Sequence, residues 1–472
     1  MHRILFRHPI SAAAVSPVRT SLHSLAFPWA AGLLGLLMVV AGGKPARAQS
    51  LKIRTAVELS LATRSNLAYQ LESSTDLATW HPFEAGFMGS GETRMILAST
   101  QDGTPTFFRV TTNEVRDLNA LLEPIRAANK VPALACAVVR SNRIVGLGAV
   151  GLRKAGVTSA PVTLEDKWHH GSLTKSMTAT LAAILVQDGK IRWNSTLAEV
   201  FPDWASRMNA GWRGATLEQL ASNRGGAPGD LTVAGIWTQL WNFSGTPREG
   251  RRLLLEKLTV IPPNRQPGTG YEYSNAGFSL AGHMLETVMD MPWEELMRQR
   301  LFVPLGMSSA GFGVPATPRY VDQPWGHQLN GGQLLPIEPG TSADNPPAIG
   351  PAGTVHCSLI DLARYTALHA SGHHRDLGLL PAAALVKLHT AYPNNESYAH
   401  GWIETDRPWA APGRAYTHAG SNLQWYSVIW FAPAKEFAVV VLCNLATVSG
   451  ANPAATATDA AAGKMIQTFL VP

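Results

Sequence analysis

The segment EVRDLNALLEPIRAANK, residues 114–130, places Val115, Leu118, Leu122 and Ile125 at helical spacing, and Pro124 must shorten or bend the helix. The runs ALACAVVR and IVGLGAVG follow as two strands about a turn at Ser141-Asn142-Arg143. Far along the chain, WYSVIWF and FAVVVLCN flank APAKE and read as a hairpin, and AATATDAAAGKMIQTFL then reads as a helix. Between these ends, residues 177–410 are rich in helical segments, Pro and Trp. Strands and helices at both ends with a helical middle predict one sheet built from both ends and a second, helical lobe.

Residues 51–112 have a different pattern. VELSLATRSNLAYQLESSTDLATWHPF and TPTFFRVTT alternate apolar and polar positions, as at Tyr69 and Leu71, between turn residues. This predicts a small all-β module over residues 49–113. It resembles a short β-domain often appended to secreted bacterial enzymes, which implies attachment or spacing.

At 472 residues the chain predicts more than one domain, and 46% hydrophobic against 15% charged residues fits a large globular interior. The net charge of +6 is a local property. Residues 1–48 contain Arg3, Arg7, Arg19, Lys44 and Arg47 and no acidic residue; without those five, 34 basic residues face 33 acidic ones. Basic stripes with interleaved aromatics are absent, which argues against nucleic acid as a partner.

The basic N-terminus, the apolar stretch Leu25–Val40 and the small residues Ala46 and Ala48 read as a secretory signal peptide over residues 1–48, cleaved after Ala48. The competing reading is a retained membrane anchor. With cleavage, the expected location is periplasmic or secreted, with no membrane span remaining. Cys136, Cys357 and Cys443 are too few and too scattered for a disulfide framework, and Cys136 and Cys443 read as buried strand residues.

Three short motifs carry chemistry. The first is HHGSLTKSMTATLAAILV. Ser172 and Lys175 are three residues apart, so on a helix they share a face about 5–6 Å apart. A lysine whose pKa falls through burial can take the proton of a serine hydroxyl. Ser172 would also sit at a helix N-terminus, which favours a developing anion. The bland alternative is a Ser172 N-cap.

The second motif is YEYSNAGFSLAGHMLE. Tyr273 and Asn275 point the same way on an extended segment, the phenol beside the lysine and the amide able to hold an acyl carbonyl. The alternative is a packed Tyr and an Asn N-cap. The third is THAGSN, where His418 precedes Gly420, a residue that allows close backbone approach. His418 can bind substrate or assist proton transfer, and the N–H groups of Ser172 and Ser421 can hold an oxyanion. The alternative for His418 is a structural histidine.

In this order, residues 114–472 resemble the serine β-lactamase and penicillin-binding protein superfamily, in its class C β-lactamase, D,D-peptidase and esterase branch. The resemblance implies an α+β, β-lactamase-like fold: a mainly antiparallel sheet flanked by helices, plus a mostly helical lobe. It implies Ser172 as acylated nucleophile, Lys175 and Tyr273 as its proton-handling partners, and Asn275, His418, Gly420 and Ser421 as substrate-binding residues. No metal or organic cofactor is implied, and the partner is a small-molecule or peptide substrate, with cell-wall material as a further partner class.

His418 stands where class C β-lactamases usually carry Lys, which weakens the case for β-lactam hydrolysis. The alternatives are a carboxylesterase or D,D-peptidase with little β-lactamase activity, and a catalytically silent binder of cell-wall peptides. Several residues have structural expectations instead. Arg224 reads as a surface-loop residue, His170 as strand packing, and Trp237, Trp241 and Trp402 as core; His373-His374 lacks metal-ligand partners.

Overall fold

A computed structural model describes residues 56–470, apart from short stretches at 65–66, 79, 84–86, 100–105, 233–234, 341–342, 375–376, 394–396 and 448–449. The signal segment expected over residues 1–48 lies outside the described residues. Among the described residues no helix is long and apolar enough to cross a membrane. The chain divides into two compact units, one of Met1–Ser65, Leu71–Phe83 and Ser90–Thr111, the other of Asn66–Gln70, Glu84–Gly89 and Thr112–Pro472.

In the smaller unit, strand Ala56–Ala62 pairs antiparallel with Thr93–Ser99, and Phe83 meets Phe108 edge-on at 5.0 Å. Arg109 binds Glu72 and lies over the Trp80 ring.

The larger unit is described through the elements that position its site. In chain order they are β1 (Arg116–Asp117), α1 (Asn119–Ala128), β2 (Ala133–Arg140), β3 (Arg143–Gly151), β4 (Lys167–His169), α2 (Thr174–Gln187), α3 (Asn275–Val288), β5 (Val355–Ser358), α4 (Leu359–Ser371), α5 (Ala382–His389), β6 (Ile403–Thr405), β7 (Ala415–Ser421), β8 (Tyr426–Ala432), β9 (Phe437–Cys443) and α6 (Pro453–Phe469).

Seven strands form one sheet in the order β6-β7-β8-β9-β2-β3-β1, antiparallel except for the β1–β3 pair. Chain-distant strands β9 and β2 lie side by side at its centre, with Val440 opposite Ala137, so the sheet is indeed assembled from both ends of the domain. Arg140 pairs with Arg143, leaving a two-residue turn in which Ser141 and Asn142 both take positive φ. That geometry matches the twist of the flanking strands.

The central strands are buried on both faces. Leu134, Cys136, Val138, Val439, Val441 and Cys443 pack with the apolar faces of α1 and α6. Their alternating neighbours Ala135, Ala137, Val139, Val440 and Leu442 join the larger core beneath α2 and α4. The two-residue period of a strand thus feeds two cores from one sequence run. The three cysteines are buried and free.

Helix α2 carries no polar face: every residue from Thr174 to Leu185 is buried. An all-round buried helix belongs to the middle of a domain. Its N-terminus therefore meets the sheet at the end of β7, and its flanks meet α3 and the GPAG segment before β5.

Candidate active site

Ser172 lies in a single 3-10 turn, Gly171–Leu173, that leads into α2. The N-cap positions of the turn and of α2 fall on His170 and Leu173, so Ser172 is not an N-cap. Gly171 has φ +50°, and a Cβ there would come 2.4 Å from the Ser421 carbonyl carbon. A Cβ on Gly420 would stand 2.0 Å from the His170 oxygen and 2.9 Å from the Ser172 nitrogen. Two glycines thus let the end of β7 touch the turn bearing Ser172, bringing the Ser421 and Ser172 backbones together.

Lys175 is fully buried and its Nζ has three neighbours: Ser172 Oγ at 3.1 Å, Asn275 Oδ1 at 2.6 Å and the Ala352 carbonyl oxygen at 2.9 Å. None is charged, and burial holds the lysine well below its ordinary pKa. A neutral amine has two N–H donors and one lone pair. Asn275 Oδ1 and the Ala352 carbonyl can only accept, so each takes an N–H group, and in the neutral amine the lone pair is left for the Ser172 hydroxyl. The same Nζ sits 4.6 Å from the centre of the Tyr273 ring, whose face would stabilise an ammonium formed there.

Tyr273 remains 36% exposed, so a ligand can reach it, while its phenol is enclosed enough for burial to push its pKa up. A hydrogen bond with Ser172 opposes that shift. Asn275 is the first residue of α3; the N-cap is Ser274, whose Oγ accepts from Gly277 N.

Sequence reasoning missed what holds this segment. Asn223, in a left-handed conformation, brackets Tyr273: its carbonyl accepts from Glu272 N at 2.9 Å and its Oδ1 from Ser274 N at 3.0 Å. The Asn at 223 was a visible sign, since Asn tolerates that conformation better than most residues. The next residue, Arg224, is 1% exposed, with its guanidinium over the Tyr392 ring. It is a core residue, not a surface-loop one, because the loop folds inward under the Tyr271–Asn275 segment.

Sequence reasoning also assigned the GPAG segment no role at Lys175. Besides the Ala352 carbonyl on Lys175, the Pro351 carbonyl accepts from Thr178 Oγ1 at 2.7 Å and Val355 N donates to Thr174 Oγ1 at 3.1 Å. Three bonds therefore clamp this segment along the first turns of α2.

His418 is 3% exposed and stands beside Tyr273, ring centres 6.3 Å apart. Its Nδ1 is 2.6 Å from the Ala419 carbonyl and its Nε2 3.1 Å from the Tyr398 hydroxyl. Burial is the main cause that pulls its pKa down to about 3. His170 lies just past β4 and packs in the core as expected, its Nε2 accepting from Cys357 N. Trp402 is buried and Trp237 stacks edge-on with Trp241. Half-buried His373 lies 2.7 Å from buried His389, and among the described residues no cluster of His, Cys, Asp and Glu could hold a metal ion.

The Ser172, Lys175, Tyr273, Asn275, His418, Gly420 and Ser421 positions therefore converge on one end of the sheet. The chemistry available is a serine hydroxyl, a buried amine whose pKa burial lowers, a phenol in contact with both, and backbone N–H groups at a helix start.

A family model described as Beta-lactamase matches residues 118–464. Penicillin-binding protein 4 of Amycolatopsis lactamdurans is 25% identical over 340 residues, covering 68% of this chain and 83% of that protein. An unguisins hydrolase of Aspergillus campestris is 24% identical over 324 residues, covering 65% of this chain and 57% of that protein. Among solved structures, the D-amino acid amidase of Ochrobactrum anthropi has a TM-score of 0.58 at 19% identity, covering 74% of this chain and 97% of that one. The D-alanine carboxypeptidase AmpC of Burkholderia cenocepacia has a TM-score of 0.56 at 21% identity, covering 72% and 96%.

Proposed function

The chain belongs to the Beta-lactamase family, and on that premise we propose that it is a serine hydrolase that opens an amide, lactam or ester carbonyl through an acyl-serine intermediate. The single observation that carries this reading is the set of uncharged neighbours around buried Lys175 Nζ, which stands 3.1 Å from Ser172 Oγ.

Ser172 Oγ attacks the carbonyl carbon while its proton passes to Lys175 Nζ. The resulting ammonium is stabilised by Asn275 Oδ1, the Ala352 carbonyl and the Tyr273 ring. The carbonyl oxygen, now negative, is held by the N–H groups of Ser172 and Ser421. As the tetrahedral adduct collapses, the proton returns through Tyr273 to the departing nitrogen or oxygen, and the acyl group stays on Ser172. Water, deprotonated by Tyr273 and Lys175 acting together, then attacks the ester, and Ser172 leaves with its proton restored. Asn275 and His418 line the side on which the departing group lies.

An intact nucleophile, base and phenol in mutual contact favour this reading over a catalytically silent binder. The signal-like N-terminus supports a periplasmic or secreted location. Intact-mass spectrometry after exposure to a penicillin and to a nitrophenyl ester tests the reaction. A covalent adduct or ester turnover that disappears in Ser172→Ala is expected. An adduct that persists in that variant would give the nucleophile to another residue.

A further inference from the structure

The Tyr398 hydroxyl and the Ala419 carbonyl occupy both ring nitrogens of His418 in hydrogen bonds that the motifs do not reveal. The Ala419 carbonyl can only accept, so His418 Nδ1 carries the hydrogen of that 2.6 Å bond. In the neutral ring Nε2 is then an acceptor, and the Tyr398 hydroxyl, 3.1 Å away, must donate to it. Tyr398 is itself buried, set between Tyr271 and Tyr273 with ring centres 5.4 and 6.4 Å away. Both nitrogens of His418 are thereby occupied within the protein. The other nearby cation-former, Lys175, is enclosed by uncharged acceptors.

The departing group of an acyl donor lies on this side, because the proton it needs arrives by way of Tyr273. A carboxylate on that group would be desolvated beside a neutral imidazole and a neutral amine whose own contacts, among the described residues, include no ion.

We propose that Tyr398 is a positioning residue that holds His418 as its neutral Nδ1–H form, and that the site consequently selects acyl donors whose departing group is uncharged, esters and simple amides, over those whose departing group carries a free carboxylate. This rests on the acyl-serine reading above. Burial, which already drives the His418 pKa down, works in the same direction as the Tyr398 bond.

The test uses two thioesters of one acyl group, benzoylglycyl-thioglycolate and benzoylglycyl-thioglycolamide, with thiol release followed by colour in the full chain. The neutral thioester is expected to be favoured by about tenfold or more in kcat/KM, a ratio equivalent to about 1.4 kcal/mol. Equal rates, or preference for the carboxylate form, would overturn the proposal without needing any variant. In Tyr398→Phe, His418 Nε2 loses its donor and can accept a proton more readily. The carboxylate thioester is expected to gain relative to the neutral one, increasingly so as pH falls from 8 to 5. A ratio unmoved at every pH removes Tyr398 from the role, and a uniform loss on both substrates marks it as merely structural. His418→Lys, which adds a standing cation, is expected to reverse the preference; no reversal counts against selection at this position. If Ser172→Ala turns over the neutral thioester as fast as wild type, the acyl-serine reading itself fails, an outcome distinct from an unselective but Ser172-dependent enzyme.

Discussion

Gly420 sits against the His170 carbonyl so closely that a Cβ would stand 2.0 Å from its oxygen. The same Cβ would crowd the nitrogens of Leu173 at 2.6 Å and Ser172 at 2.9 Å. All three contacts are with backbone, which cannot swing aside as a side chain would. Gly420→Ala must therefore push β7 away from the Ser172 turn by something like an ångström. A loss of about 100-fold in acylation rate is expected, since misplacements of that size cost about that much. Stopped-flow acylation with a chromogenic ester measures it; near-wild-type rates would mean that the two backbones are not held together as described.

Lys175 has a second, thermodynamic signature. Burial holds its folded pKa well below the ordinary 10.5. Between those two values the unfolded chain binds a proton that the folded one does not, so stability from this group is fully present above the unfolded pKa and is lost as pH falls. Wild type should gain up to about 1.4 kcal/mol per pH unit on this account as pH rises from the depressed value towards 10.5, a slope that Lys175→Met removes. Urea unfolding at several pH values reads it. The same variant should lose roughly 100- to 10,000-fold in turnover, the usual worth of a positioned base.

His373, His389 and His369 form an unbroken chain, with 2.7 Å between the first two and 2.8 Å between the last two. From His369 the chain runs at 3.3 Å to Thr180, then to the Tyr365 hydroxyl, to Ser176 Oγ and finally to the Leu173 carbonyl, one residue past the nucleophile. Burial pulls His369 to about 3 and His389 well below the ordinary histidine value. Stability from these two is complete above about pH 6.5 and is lost as pH falls below it, each contributing up to about 1.4 kcal/mol per pH unit. His389→Leu should flatten the acid side of the stability profile. An unchanged slope would show that these imidazoles take up protons in the folded chain.

Arg251 forms paired hydrogen bonds with Glu286, both side chains being fully buried, and also binds Glu294. Although burial opposes it, Arg251 with His283 holds the Glu286 carboxyl down at about 2. Arg251→Met strands that carboxylate and should cost about 3–5 kcal/mol at pH 7. Arg251→Met combined with Glu286→Gln should recover part of the loss, since neither partner is then charged. Denaturant unfolding of the two variants gives the comparison.

Local period was enough for much of this. The hairpin on either side of Ser141-Asn142, the α1 stripe, the β8–β9 hairpin and the C-terminal helix are each set by residues a few positions apart, and the Ser172–Lys175 contact spans one helical turn. These relations survive any placement of the rest of the chain, and so they can be read in advance. Sequence order and the resemblance of three motifs also supplied Tyr273, Asn275 and His418, whose convergence no periodicity implies.

Tertiary structure decided what the lysine is. Its pKa is set by burial, created by elements that also bring Asn275 and Ala352, 100 and 177 residues away, onto its Nζ. It turned Arg224 inward, made Asn223 the brace of Tyr273, and joined histidines on α4 and α5 beneath the α2 helix. It also set the Tyr398 hydroxyl, from a residue that no motif singled out, against His418 Nε2. Such facts rest on hydrogen bonds and burial between distant segments, and a string of residue types specifies these only through the packed fold.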